Sequence, residues 1–162
     1  MIAEKGYKNI VLIEPPTGEK EITSFRYPPM GLLALATYLD KYSYQISLID
    51  ASVDNLSIEE LISKIKIIQP DIVGISAMSV NILQTFQLAA VIKKYNPAIK
   101  VIVGGIHPTV MPEHTLSNEN IDIAIIGEGE LTVIELLDAL KNNKDLSKVR
   151  GIAFRQDSKI II

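Results

Sequence analysis

The chain has no cysteine and no tryptophan in 162 residues, and only two histidines. Lack of cysteine excludes disulfides, thiolate-held metals or iron–sulfur clusters, and a thiol nucleophile. Charge of neither sign dominates: 16 basic and 19 acidic residues are mixed along the chain, for a net charge of −3. No basic stripe stands out, so nucleic-acid binding has little electrostatic support. No apolar run approaches the roughly 20 residues of a membrane helix. The opening stretch "MIAEKGYKNIVLIEPP" also lacks an apolar signal core. The expectation is a cytoplasmic protein without a membrane partner.

What is present is apolar and alternating. Hydrophobic residues make up 48% of the chain, enough for the core of one domain. Continuous apolar runs at 9–14, 45–50, 71–76, 99–105 and 121–127 read as strands buried on both faces. Helix-period segments at 28–42, 57–68, 81–95 and 130–143 lie between and after them, with at most a short helix at 112–118. Ser57 and Glu60 stand at capping-box spacing ahead of the second helix. Residues 151–162 read as a hairpin around "QDSK". Right-handed crossovers turn this alternation into a three-layer α/β domain with a five-stranded parallel sheet and a carboxyl-terminal hairpin. The hairpin runs to the last residue, which predicts that 1–162 is one domain of a longer polypeptide.

In such a sheet, ligands bind beyond the carboxyl ends of the strands. The third and fourth loops hold small groups there. Ser76, Ala77, Met78 and Ser79 precede a helix, and Gly104 and Gly105 let a ligand approach the backbone. Ordinary strand-to-helix turns use the same residue types. Gly127, Glu128, Gly129 and Glu130 form the fifth loop. Acidic residues there suit a helix amino end, and the two glycines around Glu128 suggest a tight turn.

His107 has three readings: a metal ligand, a hydrogen-bond donor to a ligand, or a loop residue with no role. His114 follows seven residues later, past Pro112, and so misses the i, i+4 spacing of a helical metal pair. No metal ligand is assigned. Pro108 is expected to hold His107 in extended backbone geometry at the mouth of the ligand site. No phosphate-binding lysine loop, nucleophile elbow or dinucleotide fingerprint occurs.

The motifs "PPMGLLALATYL", "PDIVGISAMS", "VIVGGIHPTVMPE", "IDIAIIGEGE" and "VRGIAFR" follow one another over nearly the whole chain. In this they resemble the amino-terminal cobalamin-binding domain of cobalamin-dependent radical S-adenosylmethionine enzymes, the oxidative cyclases and methyltransferases. The pair "GGIHPT" and "GEGE" is the most specific part. The resemblance implies a doubly wound, flavodoxin-like sheet of order 2-1-3-4-5. A broader cobalamin pattern, Ser-x-Leu followed by Gly-Gly, is matched by Ser76-Ala77-Met78 and Gly104-Gly105, with methionine in place of leucine. The histidine that many cobalamin proteins carry after the first strand, in Asp-x-His-x-x-Gly, is missing from "EPPTGEKEITSFRYPP".

The resemblance therefore implies cobalamin bound with its own base displaced and without that histidine on cobalt. It assigns cofactor contacts to Pro15, Pro16, Thr17, Ser76, Ala77, Met78, Ser79, Gly104, Gly105, His107, Pro108, Gly127, Glu128 and Gly129. It also implies a downstream catalytic domain, absent from this cysteine-free chain, that carries S-adenosylmethionine and a 4Fe-4S cluster. The domain alone is expected to position the cofactor and to catalyse nothing. The other reading is a structural domain of the same fold that binds no cobalamin. A receiver domain is disfavoured, because Glu14, Ser76 and Gly127 stand where its acidic pair, acceptor aspartate and lysine belong.

Overall fold

The computed structural model describes residues 6–16 and 28–162. Its elements are β1 (Asn9–Glu14), α1 (Met30–Asp40), β2 (Gln45–Asp50), α2 (Ile58–Ile68), β3 (Ile72–Ser76), α3 (Ile82–Tyr95), β4 (Lys100–Gly104), α4 (Ile106–Val110), α5 (Pro112–Leu116), β5 (Ile123–Ile125), α6 (Gly129–Lys141), β6 (Ile152–Gln156) and β7 (Lys159–Ile161). The strands form one sheet of order β2-β1-β3-β4-β5-β6-β7. The first five are parallel, as their buried apolar runs require. The hairpin β6-β7 adds antiparallel to β5 rather than standing apart, so the sheet has seven strands instead of five.

Alternation along each strand divides the core into two layers. Val11, Ile13, Val73, Ile75, Val101 and Val103 face α2 and α3, where Leu61, Ile65, Leu88 and Ile92 are fully buried. Ile10, Leu12, Ile72, Ile102, Ile123 and Ile125 face α1 and α6, meeting Leu32, Leu39, Val133 and Leu136. The capping box forms as its spacing predicts. The Ser57 amide donates to Glu60 at 2.8 Å, and the Glu60 amide donates to the Ser57 hydroxyl at 3.2 Å.

The stretch after β4 departs from expectation. His107 is not extended but sits inside the one-turn helix α4. Pro108 falls in that helix's first turn, where a missing N–H costs nothing and its fixed φ suits the helix. The preference of a pre-proline residue for extended geometry is overridden here. No helix among the described residues is long and apolar enough to cross a membrane.

Candidate functional site

The carboxyl ends of β1, β3, β4 and β5 open into a groove between the sheet and helices α1 and α6. Its volume is about 1000 Å³ counted out to the open mouth. Glu14, Ser76, Gly104, Gly105 and the turn Gly127–Glu130 frame the mouth. The walls descend past Leu12, Leu35 and Ile125 to Ile10, Leu39, Ile72 and Leu137. The lining is mostly apolar, so the groove suits a hydrophobic group.

Two glycines keep it open. Gly74 lies mid-strand on the groove side, and a Cβ there would come within 2.9 Å of a Leu12 methyl. At Gly104 an added Cβ would meet only Ile125, at 3.7 Å, so its lack of a side chain is room rather than necessity. Gly105 is different. Its φ of +103° is a glycine conformation, and a Cβ would lie 2.8 Å from the Ala77 carbonyl oxygen.

The two central loops are sewn together. The Ala77 amide donates to the Gly104 carbonyl at 2.8 Å, and the His107 amide donates to the Ala77 carbonyl at 3.0 Å. Thr109 continues the brace. Its hydroxyl donates to the Gly105 carbonyl at 2.8 Å and accepts from the Gly127 amide at 3.0 Å. Three loops at the mouth thus form one hydrogen-bonded frame.

Of the expected contact residues, Ser76, Gly104, Gly105, Gly127, Glu128 and Gly129 border the groove. Met78 and Ser79 are exposed beside it, and Ala77 is buried under Gly105. Pro15 and Pro16 follow β1 without lining the groove, and Thr17 lies outside the described residues. Pro108 and His107 are the buried residues of α4, with His107 only 3% exposed. His107 Nδ1 lies 2.9 Å from the Ser79 hydroxyl, and its Nε2 lies 2.9 Å from His114 Nδ1. Burial, then the nearby His114, lowers the proton affinity of His107. Among the described residues, no cluster of three or more His, Asp or Glu could hold a metal ion.

Sequence reasoning missed the depth of the site. Glu14 is weighed there only against a receiver's acidic pair, and Gly74 and the inner faces of α1 and α6 are not singled out. Gly74 carried a usable signal, since glycine inside a central strand marks a close approach.

A doubly wound α/β domain with an apolar groove descending from the carboxyl edge of its sheet is a ligand-binding module of the open-sheet class. The family model of the B12 binding domain matches residues 23–137, and the chain belongs to that family. It is 33% identical to an uncharacterised methyltransferase of Pyrococcus horikoshii, over 93% of this chain and 33% of that protein. It is 32% identical to the anaerobic magnesium-protoporphyrin IX monomethyl ester cyclase of a Synechocystis strain, over 94% of this chain and 32% of that protein. The chain thus spans about a third of the length of these curated relatives. Its fold matches the radical S-adenosylmethionine methyltransferase TsrM of Kitasatospora setae, solved with cobalamin and a [4Fe-4S] cluster. The TM-score is 0.78 at 19% identity, over 95% of this chain and 30% of that one.

Proposed function

We propose that this domain binds cobalamin with the cofactor's base detached from cobalt and its nucleotide tail lying in the groove between the sheet and α1/α6. The observation that carries this reading is the groove itself: apolar, floored by Gly74, and opening between Ser76 and Gly104 at the carboxyl edge. A detached aromatic base gains from leaving water for such a lining. The corrin would rest over the frame of loops that holds Ala77, Gly105 and Thr109. A structural domain with no ligand has no use for an apolar cleft left open beside a glycine in its central strand.

Cobalt would receive neither His107 nor a histidine from the stretch after β1. Both ring nitrogens of His107 are engaged, and the stretch between β1 and α1 contains no histidine. The domain would serve a larger enzyme whose catalytic region supplies S-adenosylmethionine and an iron–sulfur cluster for methyl transfer or ring formation. Its own role is to hold and orient the cofactor.

The test is to mix the purified domain with hydroxocobalamin, desalt it and record the absorbance spectrum. Retained corrinoid absorbance of the base-detached form is expected. Loss of all corrinoid on desalting, together with no binding by equilibrium dialysis, would overturn the proposal.

A further inference from the structure

Glu14 is the last residue of β1 and points to the groove side, in step with Ile10 and Leu12. On one side its strand partner is Asp50 of β2. On the other side β3 pairs with β1 as far as Ile13 and Ile75, and the side chain of Ser76, the next residue, favours the ionised Glu14 by hydrogen bonding. Among the described residues, the other ionisable groups lining the mouth are Glu128 and Glu130 of the β5–α6 turn. Pro29 and the α1 residues that line the groove, Met30, Gly31, Leu32, Leu35 and Leu39, carry none, and among the described residues no lysine, arginine or histidine lines it. Among the described residues, a carboxyl group here meets apolar lining and the charge of Asp50 with no cation in the lining, and Glu128 and Glu130 share the same mouth. Burial, opposed by the Ser76 hydrogen bond and aided by the charge of Asp50, raises its pKa above the ordinary 4.5.

A carboxyl that keeps its proton becomes a donor. A nucleotide tail brings a phosphodiester and sugar oxygens, which are acceptors, past this mouth. An ionised Glu14 would repel that link, and a neutral one would bind it. We infer that Glu14 is a specificity residue of the groove: carrying its proton, it donates a hydrogen bond to an acceptor oxygen of the corrinoid's nucleotide tail, so that tail binding is linked to retention of one proton. This inference rests on the proposed cobalamin function and adds a selectivity for tailed corrinoids that weakens as pH rises.

Dissociation constants of methylcobalamin and of cobinamide, a corrinoid without the nucleotide tail, measured from pH 5 to pH 8, test it. For the wild-type domain, methylcobalamin should weaken with rising pH, approaching at most about tenfold per pH unit, the limit for one linked proton. Glu14→Gln keeps a donor that does not titrate, so its affinity should match the wild type at pH 5 and stay flat. Glu14→Ala should be weaker at pH 5 by about three- to tenfold, the scale of one hydrogen bond. Cobinamide should respond to neither pH nor variant.

A flat wild-type profile, or a slope kept in Glu14→Gln, overturns the role of Glu14 and leaves the cobalamin reading standing. A cobinamide profile that follows the same slope overturns the assignment to the tail. No methylcobalamin binding by the wild type at any pH overturns the proposed function and this inference together. A flat wild-type profile overturns the role of Glu14 even where a variant fails to fold.

Discussion

His107 Nε2 and His114 Nδ1 lie 2.9 Å apart, and a single proton must sit between them. The pair, with Ser79, pins the loop after β3 to α4 and α5. Because burial and His114 depress the proton affinity of His107 below the ordinary 6.5, the unfolded chain takes up that proton more readily than the folded one. The stability contributed by neutral His107 is therefore present above pH 6.5 and is lost as pH falls below it. Urea unfolding of the wild type and His107→Gln at pH 7.5 and 5.5 checks this. The variant should be less stable by about 1–3 kcal/mol at pH 7.5, with the gap narrowing at pH 5.5. Its cobalamin affinity should stay within roughly tenfold, and the bound cobalt spectrum should not change.

Gly104 and Gly105 are adjacent but should respond oppositely to alanine. Gly105→Ala places a methyl against the Ala77 carbonyl in a glycine-only backbone region, and should cost about 2–4 kcal/mol. Gly104→Ala meets ordinary contact distance and should stay within about 1 kcal/mol of wild type. Thermal melts of the two variants side by side decide between this and an equal effect.

Gly74→Ala should leave the fold standing and narrow the groove. The new Cβ displaces the Leu12 methyl, and Leu12 itself lines the groove. Cobalamin affinity should fall by about tenfold or more, while cobinamide binding is unchanged. Equal losses for both corrinoids would place the tail elsewhere.

Arg155 of β6 donates to the carbonyls of Leu116, Asn118, Glu119 and Ile121, tying the end of α5 and the approach to β5 onto the hairpin. Arg155→Met should lower stability by about 1–3 kcal/mol by leaving those carbonyls short of donors. Arg155→Lys should recover less than half of it, because one ammonium cannot span the set. Denaturant midpoints measure both.

The elements that depend on local pattern were legible in the sequence. Ser57 and Glu60 announced the start of α2, and the apolar runs around Val11, Val73 and Val101 announced buried parallel strands. Gly105 was legible as a close approach, although what approaches it is Ala77 of the same chain. The site was legible at its rim, through Ser76, Gly104 and Gly127, and not in its depth. Leu12, Leu35, Ile125 and Val133 look like any other core residues, and only the sheet and two distant helices together leave a gap among them. His107 was misplaced in backbone geometry because the proline rule speaks of one residue, whereas α4 is fixed by the Ala77 carbonyl and His114.

The order of the sheet also sets a timetable. After β2 joins one side of β1, strands β3, β4, β5, β6 and β7 are laid on the other side in the order in which they are synthesised. Each finds its neighbour already made, so the sheet grows by accretion at one edge without threading. The groove follows a later schedule, because α6 forms one of its walls and begins only at Gly129. A nascent chain that stops short of that helix lacks one of the two helical walls of the groove.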